Sequence, residues 1–221
     1  MLKNAAPAAS GGIPIDVPGL STIIPEVAVG RLLVAESGAD PAKSFFVRHL
    51  AISALRLGWP VTFVTTRDRN ELETRLTREG EPSGLAAWAE SLEIIEQDSM
   101  EHLDGLAHRS GLLILDSFSL LTLELQPLDL ARLLREIRAY CRRPGTAVIL
   151  ATDRGMSEPR SEAITLHLAD GAIQFHSKEG PESLLRYLRI PKWMDTRFVD
   201  QNIYYDFDGR RIAIDLRRRV L

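Results

Sequence analysis

The fold is decided by Leu32-Leu33-Val34-Ala35-Glu36-Ser37-Gly38-Ala39-Asp40-Pro41-Ala42-Lys43-Ser44, which joins an apolar run to an amphipathic one. The apolar residues at its start predict a buried strand, and the pattern from Phe45 to Leu57 predicts a helix. A strand, a tight loop and a helix form the context in which G-x-x-x-x-G-K-[ST] holds the phosphates of a nucleotide. Residues 37–44 are therefore a candidate phosphate-binding loop.

The loop keeps only part of that motif. Lys43 and Ser44 match its last two positions, but Ser37 and Ala42 replace its two glycines. In an intact loop the glycines let backbone N–H groups approach the phosphates. The lysine adds a cation, and the hydroxyl ligates Mg²⁺. Lys43 and Ser44 retain these two roles, at a helix N-terminus that favours an anion.

Three residues of the loop oppose an anion. Ala42 adds a methyl group where close approach is needed, and Pro41 has no N–H to donate. Asp40 adds a negative charge, which at ~4 Å and an effective dielectric of about 20 costs about 4 kcal/mol unless its carboxylate points to solvent. Nucleotide binding and a simple turn between strand and helix are two open readings of the loop.

Apolar runs alternate with helical patterns along the rest of the chain, which predicts an α/β fold with a twisted, mainly parallel sheet and helices on both faces. The predicted strands are residues 31–35, 61–65, 92–95, 112–116, 147–151 and 171–175, and the predicted helices are residues 43–57, 69–79 and 128–142. Shorter strands at 184–190, 201–207 and 211–216, with the hairpin turn Asp208-Gly209, predict a small antiparallel C-terminal extension. Prolines and glycines in residues 1–18 predict a flexible arm, which leaves 19–221 as one core domain.

Composition excludes several classes of protein. The chain has 221 residues, 45% of them hydrophobic, and a net charge of −3, which suits one soluble domain without a strongly basic surface. Cys141 is the only cysteine, so no disulfide forms within the chain, and we expect a cytoplasmic protein. No apolar run reaches ~18 residues, so we expect no membrane span. The arginines at 210–211 and 217–219 leave nucleic-acid binding as a weaker alternative.

A second candidate site ends the strand Leu112–Asp116. An apolar strand that ends in an acid is the form of the Mg²⁺-holding segment of P-loop enzymes. It is equally the form of a buried strand whose terminal Asp caps a helix. The order and spacing of Asp116 after Lys43 favour the first interpretation.

Several further segments, with these two, resemble the KaiC-like branch of the RecA superfamily of P-loop ATPases, over nearly the whole chain from about Ile13. The resemblance implies a RecA-like fold, ATP and Mg²⁺ as cofactors, and a ring or other oligomer. Lys43 would contact the β- and γ-phosphates, Ser44 and Asp116 would serve Mg²⁺, and Lys192 would reach into a neighbouring subunit's site. The segments that carry it are Gly19–Pro25, Val29–Leu32, Asp116–Ser119, Leu168–Ile173 and Arg186–Lys192.

The chain departs from the family pattern at four places, one of which is the loop itself. Arg67 and Asp68 stand where the family has two acids, so Asp68 is the one candidate catalytic acid. Asp153-Arg154 replaces a Ser-Gln sensor, and the late Lys-x-Arg element is Lys192-Trp193-Met194. Phosphoryl transfer depends on positioning and charge stabilisation, so such losses should slow it by orders of magnitude.

The sequence therefore predicts a degenerate KaiC/RecA-like protein with weak or absent ATP binding and little hydrolysis. It would act by self-association or by binding a partner, in a homo-oligomer or a RecA-like hetero-oligomer, with a regulatory or DNA-repair role. Absence of any cofactor is as well supported as ATP with Mg²⁺. The alternatives are an active ATPase that uses Asp68 and Asp116, and a nucleic-acid-binding accessory subunit.

Overall fold

The structure of the protein is a computed structural model that describes residues 11–38, 40–80, 88–103, 110–179, 184–193 and 201–215. Five helices lie in these ranges: α1 Ala42–Arg56, α2 Arg69–Glu79, α3 Phe118–Leu121, α4 Pro127–Cys141 and α5 Pro159–Leu168. The strands are β1 Ile13–Pro14, β2 Glu26–Val27, β3 Leu32–Ser37, β4 Val61–Thr65, β5 Leu92–Glu96, β6 Leu112–Asp116, β7 Ala147–Asp153, β8 Gly171–Glu179, β9 Leu184–Trp193, β10 Ile203–Phe207 and β11 Ile212–Ile214.

Nine strands form one sheet in the order β11-β10-β9-β8-β3-β7-β6-β4-β5. The six strands from β8 to β5 run parallel to their neighbours, whereas β9, β10 and β11 add to β8 in antiparallel pairs. The predicted α/β fold and its antiparallel C-terminal extension are confirmed. Because β3 is central and parallel, its carboxyl end opens onto the crevice where such sheets bind ligands.

Two hydrophobic cores cover the two faces of the sheet. On one face Leu33 and Ile114 pack in a cluster with Phe46 of α1. On the other face Val34 and Leu113 pack in a cluster with Leu134 of α4. All six residues of β3 are buried, which explains why its first four residues are all apolar, with no alternation. This packing fixes the loop that joins β3 to α1.

The N-terminal segment differs from the sequence prediction. Residues 11–18 were expected to belong to a flexible arm, but Ile13, Ile15 and Val17 are buried in the core, and β1 pairs with β2. Apolar residues at alternate positions let this short segment bury one face despite its prolines and glycines. The first ten residues lie outside the described part of the chain.

Candidate functional site

A cavity of about 490 Å³ lies beyond the carboxyl ends of β3 and β7, whose last residues Ser37 and Asp153 are paired in the sheet. The short loop after β3 delivers the chain to α1, so that the loop and the first turn of the helix border the cavity. The loop residues that line it are Ser37, Gly38, Asp40, Pro41, Lys43 and Ser44. Most of the predicted loop site is therefore brought together; Ala39 lies outside the described residues.

The ammonium group of Lys43 is held by the protein itself. Its Nζ donates to the carbonyl oxygen of Thr152 at 3.1 Å and to the carboxylate of Asp153. The Lys43 side chain is only 3% exposed. The second carboxylate oxygen of Asp153 accepts a hydrogen bond from the hydroxyl of Ser117. Asp153, at the position of the altered sensor, thus fixes the motif lysine.

The carboxylate of Asp40 points into the protein. From the sequence, only an orientation to solvent was expected to remove its repulsion of an anion. Its Oδ1 accepts a hydrogen bond from the backbone N–H of Ala42 at 2.8 Å, and its Oδ2 accepts one from the Tyr205 hydroxyl at 3.0 Å. The Arg186 Nε lies 3.5 Å from Oδ2. Burial and the neighbouring Asp40 raise the pKa of Tyr205 well above its ordinary value, so the phenol keeps the proton that it donates.

The other predicted metal ligands are Asp116 and Ser44. Asp116 is buried at the end of β6, and its Oδ1 has no hydrogen-bond partner among the described residues. Burial raises the pKa of Asp116, and the charge of Lys43 acts in the opposite direction. The peptide bond that follows Asp116 is cis. Ser44 is half-buried and lines the cavity, whereas Asp116 is not among the described residues that line it.

Asp68 and Lys192 are not among the residues that line the cavity. Asp68 is the N-cap of α2, where its Oδ1 accepts a hydrogen bond from the backbone N–H of Glu71 at 2.9 Å. Lys192 is paired with Ala172 near the start of β8, at the amino ends of the parallel strands, whereas the cavity lies beyond their carboxyl ends. Its Nζ donates to the carbonyl oxygens of His167, at 3.0 Å, and Ala169 at the end of α5.

A model of the family of unknown function DUF7125 matches residues 58–221. The chain belongs to this family. No curated protein matches the chain. The matched part of this DUF7125 protein includes β6, β7 and the C-terminal extension, but not the loop at 37–44 or α1.

Solved structures with a similar fold include a KaiC-like protein, PH0186, from Pyrococcus horikoshii OT3. It has a TM-score of 0.74 and 18% identity, over 93% of this chain and 99% of that one. The flagellar accessory protein FlaH from Methanocaldococcus jannaschii gives a TM-score of 0.75 and 17% identity, over 94% of this chain and 99% of that one. The DUF7125 protein therefore has the RecA-like fold of KaiC-like proteins. At these identities the likeness shows the fold alone.

Arginines form the remaining polar wall of the cavity, and sequence reasoning did not select them as site residues. Arg48 of α1 makes two hydrogen bonds, each 2.8 Å, with the carboxylate of Glu79 at the end of α2. The other arginines that line the cavity are Arg67, Arg75 and Arg78. The spacing of Arg75 and Arg78 was the available signal, because residues three apart are neighbours on a helix surface.

The described residues show no prepared metal site. None of their His, Cys, Asp and Glu side chains forms a group of three that could hold a metal ion. None of the helices in the described ranges has the length and apolar character needed to cross a membrane.

Proposed function

We propose that this DUF7125 protein is a degenerate member of the KaiC/RecA-like fold that binds ATP weakly or not at all and hydrolyses little of it. It acts by associating with copies of itself. The observation that carries this proposal is the ion pair between Lys43 and Asp153, because the lysine that would bind phosphate is already neutralised.

Asp40 supports the same conclusion from the other side of the loop. In a phosphate-binding loop the N–H groups at the start of the helix face the ligand. Here the N–H of Ala42 donates to Asp40, so a side-chain carboxyl group takes the place of an external anion. A triphosphate would have to displace Asp40 from the N–H of Ala42 and Lys43 from Asp153 before it could make its own contacts. That reorganisation subtracts directly from the free energy of binding.

The predicted magnesium residues do not fit the ion. Mg²⁺ is bound through carboxylate oxygens and waters together with the phosphates. Burial raises the pKa of Asp116 and so disfavours the charged form that a cation needs, and Asp116 stays outside the cavity lining in the described chain. The hydroxyl of Ser44 is the remaining ligand.

The candidate acid Asp68 has a structural role that accounts for its presence. As an N-cap it satisfies a backbone N–H of α2, which typically contributes about 1 kcal/mol to stability. The geometry therefore gives no support to hydrolysis through Asp68.

An apolar surface supports self-association. Four of the six large apolar side chains that are exposed in the described ranges are Leu120, Leu123, Leu128 and Met156. Leu123 and Met156 line a cleft of about 140 Å³ together with Pro127, the residue before Leu128. We call Leu120, Leu123, Leu128 and Met156 the α3–α4 patch. Exposed large apolar side chains that lie together, as Leu123 and Met156 do at this cleft, mark protein interaction sites.

Calorimetric titration of ATP with Mg²⁺ tests the nucleotide part of the proposal. We expect at most weak binding, with the same affinity in the wild-type protein and in Lys43→Ala, and no phosphate release above that of buffer. Lys178→Ala, an exposed lysine of β8, is the matched control. Tight binding that Lys43→Ala abolishes and Lys178→Ala preserves would show a working nucleotide site and overturn the proposal.

A further inference from the structure

We infer that the cavity between the loop and α2 binds a small phosphate-bearing molecule through Arg67, Arg75 and Arg78, without a metal ion. The inference rests on the proposed function, since it requires that the loop itself is not the phosphate site. The ligand would lie against these three arginines, which we call the arginine wall of the cavity. Arg67 precedes α2, and Arg75 and Arg78 lie near its end.

The charges that line the cavity do not balance. Five of the lining residues are cationic and three are acidic. Each acid has a cationic partner, because Asp153 pairs with Lys43, Glu79 with Arg48 and Asp40 with Arg186. These pairs leave Arg67, Arg75 and Arg78 as the cations of the wall that no acid in the lining neutralises.

Two of the three arginines have no side-chain partner among the described residues, and the third is held only by an exposed carboxylate. In the described part of the chain, the side chains of Arg67 and Arg78 make no hydrogen bond or ion pair, and both residues are exposed. Arg75 is paired with Glu71 in an i,i+4 pair whose side chains are 38% and 48% exposed. Solvent-exposed pairs of this kind contribute little and exchange readily. A guanidinium group presents a planar fork of donors that matches two phosphate oxygens.

The rest of the cavity suits a small organic phosphate. Its volume of about 490 Å³ lies within the range of about 300–1,000 Å³ that is usual for small-molecule sites. Phe207 and Pro41 add an apolar side to it. The negative charge that the sequence places in the loop is directed at Tyr205 and Arg186, so it does not oppose an anion on the α2 side.

Titration with pyrophosphate in the presence of EDTA, followed by calorimetry on the full chain, tests the inference. We expect binding that weakens as salt is added. Arg67→Ala and Arg78→Ala should each weaken it by about tenfold or more, the usual effect of losing a hydrogen bond to a charged group. Arg132→Ala is the matched control, because Arg132 is an exposed arginine of α4 that pairs with Asp129 away from the cavity.

A paired substitution separates this site from the loop. Lys43→Met with Asp153→Asn removes an ion pair without changing the net charge of the cavity, and we expect pyrophosphate affinity to be retained. A thermal melt of each variant shows whether it is folded. Absence of pyrophosphate binding, or binding that the arginine variants leave unchanged, would overturn the inference alone. Binding that requires Mg²⁺ and is lost in the paired variant would overturn the proposed function as well. If a poly-glutamate peptide bound more tightly than pyrophosphate, and through the same arginines, the inference of a phosphate ligand would be overturned in favour of an acidic protein segment.

Discussion

At the scale of single residues, Asp40 shows how the surroundings reverse the effect of a charge. On the sequence it is a negative group in an anion site, with a cost near 4 kcal/mol at close range. In the structure its side chain is 1% exposed and meets the backbone N–H of Ala42, the hydroxyl of Tyr205 and the guanidinium of Arg186. Buried polar groups are tolerated when their hydrogen bonds are made, so Asp40 stabilises the loop in this shape.

Removal of the Tyr205 hydroxyl tests that role. Tyr205→Phe leaves Oδ2 of Asp40 without its hydroxyl donor, and we expect the free energy of unfolding to fall by about 2 kcal/mol. Urea denaturation followed by circular dichroism measures the change. Tyr204→Phe on the same strand is the control, because the hydroxyl of Tyr204 makes no hydrogen bond within the described residues. Equal stability of the two variants would contradict the assigned contact.

At the scale of elements, α1 and α2 are tied together by the pair of Arg48 and Glu79. Their side chains are 7% and 6% exposed, so both charges are removed from water. A buried ion pair adds little by itself, but loss of one partner leaves the other charge buried and uncompensated. The two helices on this side of the cavity therefore depend on both members of the pair.

The expected signature is non-additivity in a double-mutant cycle. Arg48→Met should lower the free energy of unfolding by about 3–5 kcal/mol, and the double variant Arg48→Met with Glu79→Met should recover most of that loss. Arg69→Met breaks the exposed pair with Glu73 and should cost less than about 1 kcal/mol. Chemical denaturation of the wild type, both single variants, the double variant and Arg69→Met measures these differences. Additive losses would mean that the two side chains do not act as a pair.

The sequence predicted most elements because their patterns are local. β4, β6 and α2 have the predicted bounds, and the remaining predicted strands and helices differ by a few residues at their ends. The strands β1 and β2 and the one-turn α3 are too short to show a period. α5 was missed because its fully buried positions are the polar Ser161 and Thr165, whereas its large apolar residues Ile164, Leu166 and Leu168 are only partly buried and lack a clear helical period.

The site was predictable only in part, for a related reason. Lys43 and Ser44 were found from a motif whose residues are adjacent in the chain. The partners that give the loop its shape, Asp153 and Tyr205, are distant in sequence and meet it only through the sheet. The arginine wall was missed because charged residues on a helix indicate a solvated face unless the neighbouring elements are known.

At the scale of the whole molecule, the α3–α4 patch predicts self-association. Leu123 and Leu128 are 54% and 60% exposed, which is costly for a free surface and favourable at an interface. None of the four residues of the patch lines the cavity, so the two sites can be tested separately.

We expect the wild-type protein to be larger than one 24.6 kDa chain in solution. Leu123→Glu with Leu128→Glu should give a monomer, because charges within an apolar contact would be buried without partners. Size-exclusion chromatography with light scattering measures the mass. Leu57→Glu, at an equally exposed leucine after α1, should leave the mass unchanged. A monomeric wild-type protein, or an oligomer that survives the double substitution, would contradict this assignment.

The hydrogen bond between Tyr205 and Asp40 joins residues 165 positions apart. During synthesis Asp40 therefore leaves the ribosome before its hydrogen-bond donor. At ~5–20 residues per second, Tyr205 follows roughly ten to thirty seconds later. During that interval the N-terminal half has the segment from Ser37 to Ser44 but not the strand that holds it. The final shape of this turn is thus set only after the antiparallel strands β9 and β10 have joined the sheet.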